Sequence, residues 1–305
     1  MKKTLLALSL LGLTGSAVAS PFYIDTAGTS DASGGNWDGE NTASSDKVCD
    51  TCTSLKDEIN YRYDSETLIV GDSDGVIEVG DTVETRGGLA VGDFTDNRVL
   101  GFTPGGGLTT GNDNGYGAGN WQITFSFTGL MGQIVEYTSG TSLELAYGSF
   151  GTFDLFYTED SGTTLHNFMD ISVIGGGSGS GGTLLAGKVD FTGAEVLTDV
   201  DGTNDWMVNL FHSGGATCGG SDSFYDIWLN CDGNNLPLLD ISFLADFNTN
   251  FNEITIGDPD ANGNILVTGN HDGSAVFNVP EPSTLALFGG TLLLLGAASA
   301  RRRKA

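Results

Sequence analysis

The sequence predicts an all-β protein: a β-sandwich or jelly-roll-like body followed by a single hydrophobic C-terminal helix. Short runs alternate apolar and polar residues, as in Trp121, Ile123, Phe125 and Phe127 against Gln122, Thr124 and Ser126, the pattern of a half-buried strand. Gly/Asn/Asp/Ser turns separate these runs, with 47 glycines against 6 prolines. A sustained helical period with caps is missing everywhere in the body except the short stretch Thr53–Tyr61.

The chain begins with a basic segment, Met1-Lys2-Lys3, an apolar run from Leu5 to Leu13, and Ala17-Val18-Ala19. This is the order of a secretory signal peptide with an A-x-A site, so residues 1–19 are expected to be removed after Ala19. The body then spans 20–278, about 260 residues, enough for one large β domain with a sizeable core. Its strand patterns fall at Leu143–Tyr147, Phe153–Tyr157, Trp206–Phe211, Phe224–Leu229, Leu238–Phe247, Ile265–Thr268 and Ala275–Val279. Shorter ones lie at Thr67–Val70, Val76–Val79 and Gly187–Phe191. Two segments interrupt them: a Gly/Asn-rich loop from Pro104 to Asn120, and GGGSGSGG from Gly175 to Gly182, which reads as a flexible linker. Strand patterns of one kind on both sides of that linker favour one domain over two.

Removing Lys2, Lys3 and Arg301–Lys304 from the 12 basic residues leaves six, and removing Glu281 from the 39 acidic ones leaves 38, so the body carries a charge near −32. Such a surface repels phosphate backbones and anionic headgroups, which excludes nucleic acid as a natural partner. It attracts cations, including divalent ones that bridge it to other polyanions; solubility outside the cell would by itself explain the same charge.

Four cysteines in an exported chain read as disulfides. The preferred pairing is Cys49–Cys52 and Cys218–Cys231, although four cysteines allow three pairings. Asp46, Asp50, Asp57 and Glu58 around the Cys-x-x-Cys would raise its thiol pKa, against a redox role, and the Cys218–Cys231 spacing does not complete a zinc site.

Asp258, Asp260 and Asn262, followed by Gly263, match the first half of a calcium loop. Gly269 stands where the closing glutamate belongs, so an Asx-based turn competes with weak calcium ligation at these three residues. Asp72–Gly75 and Asp199–Asp205 are weaker versions, and no other cofactor is expected. His166, His212 and His271 are scattered without a nucleophile motif, so no catalytic residue is assigned and the chain is not expected to be an enzyme. Among the tryptophans, Trp121, Trp206 and Trp228 are expected in the core, and Trp37 is the best candidate for an exposed sugar platform.

Residues 279–305 form the tail. Val279-Pro280-Glu281-Pro282 precedes 18 uncharged residues, Ser283 to Ala300, and then Arg301-Arg302-Arg303-Lys304. As a helix the apolar run covers roughly 27 Å, just short of a hydrocarbon core of about 30 Å, and Gly289, Gly290 and Gly296 dilute it. The basic end would stay cytoplasmic, leaving everything before Pro280 on the outer face. An ordinary membrane anchor would share these parts, but the motif, weak span and basic end together resemble the PEP-CTERM sorting tail of Gram-negative bacteria. The resemblance implies export through Sec, a transient stay in the inner membrane, and cleavage near Val279–Pro282 by an exosortase, a membrane-embedded cysteine protease. The mature protein would then carry no transmembrane helix.

The body loosely resembles flocculation-associated PEP-CTERM surface proteins through Gly80–Thr85, the Cys218–Cys231 loop and Ala275–Asn278 running into the motif. That implies a non-enzymatic protein retained at the cell surface or in an exopolysaccharide matrix, contributing to flocculation or biofilm. A lectin-like carbohydrate-binding module and a secreted glycan-active hydrolase are the alternatives.

Overall fold

The computed structural model describes residues 20–26, 48–49, 51–71, 74–105, 113, 115–117, 120–139, 141–149, 151–179, 182–198, 205–215, 220–231, 241–248 and 254–279. These contain thirteen strands: β1 Phe22–Ile24, β2 Lys56–Val70, β3 Thr82–Gly88, β4 Arg98–Pro104, β5 Gln122–Thr138, β6 Ser142–Tyr147, β7 Thr152–Thr158, β8 His166–Gly179, β9 Gly182–Asp190, β10 Phe211–Ser213, β11 Ser242–Asn248, β12 Ile254–Ile256 and β13 Ile265–Asn278. Two 3-10 turns, Glu195–Thr198 and Asp205–Asn209, and one helix, α1 (Phe224–Cys231), complete the described elements.

The body is all-β, as expected, but its described strands form one antiparallel sheet rather than the two sheets of a sandwich. The sheet runs β2–β3–β5, then β6 and β7 end to end between β5 and β8, then β8–β9–β11–β13, and closes where β13 pairs with β2 over Ile265↔Ile69 to Ala275↔Ile59. The physical reason is strand length. One edge of β2 is shared, Lys56–Arg62 pairing β4 and Ser65–Val70 pairing β3, and β5 likewise splits between β7 and β6. Long strands that change partner halfway let a twisted sheet curl until β13 meets β2.

Several local readings are overturned. Thr53–Tyr61 is not helical: its second half is β2, whose inward positions Ile59, Tyr61 and Tyr63 are buried against neighbours far away in sequence. Phe224–Leu229 is not a strand but lies in α1, where Phe224 and Ile227 at helical spacing are buried, and the Ile227 N–H donates to the Ser223 carbonyl. Trp206–Asn209 belongs to a 3-10 turn, and Val76–Val79 is an irregular segment with Val76 and Val79 exposed. The glycine run is no linker, because β8 and β9 extend into it with Gly179 opposite Gly182. Glycine is required there for close approach: a Cβ on Gly176 would lie 2.5 Å from the Leu184 carbonyl oxygen.

The inside of the closed sheet is filled by side chains. At one end Phe277, fully buried, touches the rings of Phe22, Phe211, Phe224 and Phe243 at centroid separations of 5.5, 5.6, 5.1 and 5.6 Å. At the other end Ile69, Val83, Ile134, Leu145, Ile265 and Val267 form a second apolar cluster. Between them lies a buried polar layer. Thr67 and Thr85 hydroxyls are 2.9 Å apart, Thr85 reaches the Tyr147 hydroxyl at 3.2 Å, and Ser65 Oγ lies 2.7 Å from His271 Nε2. Among the described residues no helix is long and apolar enough to cross a membrane. The expected C-terminal helix (after Val279), the signal site Ala17 and Ala19, Trp37 and Cys218 lie outside the described residues.

Candidate functional site

The expected site residues fall in three separate places, and the junction between body and tail is the best defined. Ser20, the residue that cleavage after Ala19 would expose, lies against the last residues of β13. Its N–H donates to the Phe277 carbonyl at 2.9 Å, and its hydroxyl accepts the Val279 N–H at 3.2 Å. The same hydroxyl lies 3.2 Å from both the Asn278 side-chain oxygen and the Val279 carbonyl, to either of which it can donate. Val279 is 2% exposed, and the Ser242 hydroxyl donates to the Asn278 carbonyl at 3.4 Å. Both ends of the body therefore leave from one place. Of the sorting motif, Val279 belongs to the folded body, while Pro280, Glu281 and Pro282 lie outside the described residues.

Cys49 and Cys52 form the expected disulfide. It sits where Cys52 bridges Asp25 just after β1, with the Thr51 hydroxyl donating to Asp25 at 2.7 Å, and so fixes the entry into β2. Although Asp25 lies beside both sulfurs, their bond to each other removes the thiolates a metal would need. The Cys218–Cys231 pairing falls outside the described side chains.

Asp258–Asn264 forms a tight turn before β13. Asp260 Oδ1 accepts the N–H groups of Asn262 and Asn264 at 2.7 and 2.9 Å, Oδ2 accepts the Asn264 amide at 3.1 Å, and Gly263 takes a φ of 82°. Those hydrogen bonds hold the Asp260 carboxyl below its usual range. Asx chemistry accounts for the turn's shape.

Strand register reveals a cluster that spacing along the chain conceals. Asp154 on β7, Asp170 on β8 and Asp190 on β9 are direct cross-strand partners, so three carboxylates stand in one row. They line a cleft of about 390 Å³ together with Glu195 and Asn167. Burial pushes the Asp170 carboxyl up to about 6; hydrogen bonds from Asn167 and the Gly193 N–H oppose this, while the charges of Asp154 and Asp190 add to it. Burial also raises Asp154. At Asp190 burial works in the same direction, but the hydroxyl and N–H of Thr192 and the Ser172 hydroxyl hold it below its usual range.

Like charges directly opposed across strands are destabilising. Because the folded value at Asp170 exceeds the unfolded one, its contribution is full below about pH 4 and lost as pH rises through about 6. Asp170→Asn is therefore expected to stabilise the protein at pH 7 by on the order of 1–3 kcal/mol and to leave stability at pH 4 nearly unchanged. Urea unfolding at the two pH values reads this.

Few cations answer this acidity. Lys56, fully buried, pairs with Asp113 and the Ser54 hydroxyl; Arg62 meets Asp96 at 3.4 Å, and Arg86 meets Glu66 at 2.5 Å. Trp121 is fully buried, Trp206 packs edge-on against Tyr157, and Trp228 lies against Phe191 and Tyr225, so the described tryptophans serve the core.

No curated protein and no solved structure matches the chain. One family does, the PEP-CTERM protein-sorting motif, over residues 278–304. The match begins at Asn278, the last residue of β13, and covers the tail alone. Such motifs direct export and exosortase-dependent processing in Gram-negative bacteria. The chain thus carries a PEP-CTERM protein-sorting motif at its C-terminal end.

Proposed function

We propose that this is an exported, exosortase-processed protein of the cell surface or extracellular matrix, whose acidic β body associates with exopolysaccharide and contributes to flocculation or biofilm. The observation that carries the proposal is the sorting motif at residues 278–304, joined to a closed, disulfide-bearing body. The body's charge near −32 supports association through bridging divalent cations, since an anionic polysaccharide would otherwise be repelled. Deleting the gene is expected to reduce flocculation, and a chelator is expected to release the protein from washed matrix. Unchanged flocculation in the deletion strain would count against the role.

Calcium at Asp258, Asp260 and Asn262 is a finer part of this proposal. Isothermal titration with calcium is expected to differ between the native protein and Asp260→Ala; identical traces would remove these residues from the account.

The row Asp154–Asp170–Asp190 favours a second reading, a glycan-active hydrolase, because neighbouring carboxyls pushed to opposite sides of their usual range are the pattern of an acid and its partner. Turnover of matrix glycans that disappears in Asp170→Asn would establish it. The lectin-like reading gains nothing from Trp121, Trp206 or Trp228; a saturable, sugar-specific change in tryptophan fluorescence would restore it.

A further inference from the structure

We propose that the folded body sets the upstream limit of tail processing: the bond that is cut lies C-terminal to the Val279–Pro280 peptide bond, so the mature chain ends at Pro280 or later. The inference rests on exosortase processing as proposed above and adds where on this chain the protease can act.

To cleave a peptide bond, a protease must reach the carbonyl carbon and hold the flanking backbone in its own groove. Hydrolysis breaks the C–N bond, water supplying the hydroxyl of the new carboxylate and the hydrogen of the new amine. Upstream of Pro280 the fold already occupies the groups a protease would need. The Phe277 carbonyl accepts the Ser20 N–H, and the Asn278 carbonyl accepts the Ser242 hydroxyl. The Val279 N–H is taken by the Ser20 hydroxyl, and its side chain is buried beside the Phe277 ring cluster. Phe277 itself is in register with Phe243 of β11. Cutting at the Phe277–Asn278, Asn278–Val279 or Val279–Pro280 bond would require lifting the end of β13 out of the closed sheet and exposing Phe277. Such a bond is cut only in proportion to the opened state, whose free energy includes the ring cluster.

The clasp also places the two processing points side by side. Ser20 is the first residue after the expected signal site, and it holds the last residue before the prolines. The residue after the expected signal site and the residue before Pro280 thus lie within one hydrogen bond of each other.

Two measurements test this. The protein recovered from its native cell is mapped by mass spectrometry to its last residue, which is expected to be Pro280 or a residue beyond it. A processed chain ending at Val279 or earlier overturns the limit while leaving exosortase processing intact. A chain still bearing Arg301–Lys304 overturns both. Separately, the purified full chain in detergent is exposed briefly to a broad-specificity protease. The three bonds between Phe277 and Pro280 are expected to survive at least tenfold longer than the first cut beyond Pro280; equal or faster cutting there overturns the limit without reference to any exosortase.

Discussion

Phe277→Ala is expected to lower the unfolding free energy by about 3–5 kcal/mol, the range for emptying a buried aromatic site. That is a large share of the 5–15 kcal/mol typical of a domain. Phe277 is fully buried and touches four phenylalanine rings from β1, β10, α1 and β11, so its loss leaves a cavity that no single neighbour can fill. Because β13 also closes the sheet against β2, the damage falls on the strand that makes the ring continuous. Urea unfolding should show a lower midpoint with an unchanged slope. A loss below about 1 kcal/mol would show that the ring cluster does not hold β13 in place. The same variant should make the bonds from Phe277 to Pro280 easier to cut.

The second large effect concerns His271. Burial lowers its imidazole to about 4, the carboxylates of Asp64 and Asp272 opposing this only in part. It stacks on Tyr63 at 4.9 Å and meets the Ser65 hydroxyl within the polar layer. A folded value below the unfolded one means that the neutral form is the native one. Its contribution is complete above about pH 6.5 and is lost as pH falls toward 4, by on the order of 2–3 kcal/mol. His271→Phe should remove that acid-side loss. It also leaves the Ser65 hydroxyl short of a partner, at about 1–3 kcal/mol, which Ser65→Ala in the same chain should relieve.

Asp170 has the opposite sign over nearly the same interval, gaining stability as pH falls from about 6. The two slopes offset each other in the native protein. Each single variant should therefore unmask a pH dependence that the native protein hides, and Asp170→Asn combined with His271→Phe should flatten it again. Unfolding curves for the four proteins at pH 4.5, 5.5 and 7 decide this.

The all-β class was legible from alternation, and so were β5, β6, β7, β11 and the two ends of β13, whereas β1, β3, β4, β8, β10 and β12 were not picked out. Trp121–Phe127 and Ala275–Phe277 alternate because one face meets the core, and nothing in their surroundings contradicts that local pattern. What the sequence hid was pairing. Closure depends on the length of β2 and β13, and a strand pattern does not say which partner it meets halfway along. Thr53–Tyr61 looked helical because a short helical period with caps runs through it, whereas burial at the start of β2 is set by distant strands. Phe224–Leu229 looked extended because it is rich in aromatics, although Phe224, Ile227 and Trp228 already stand at helical spacing. The glycine run read as a linker because glycine serves both freedom and close approach, and only contact with Leu184 and Leu185 separates the two. The Asp154–Asp170–Asp190 row exists only in register, with partners 16 and 20 residues apart in sequence. The sorting motif, by contrast, was readable, because it is recognised as a linear order of parts.

The most direct test of the account is fractionation of the native host with and without its exosortase, following the tail itself. With the enzyme present, the protein should leave the inner membrane lacking Arg301–Lys304; without it, the full-length chain should stay in the membrane fraction. An intact tail on the protein in both strains would contradict the account.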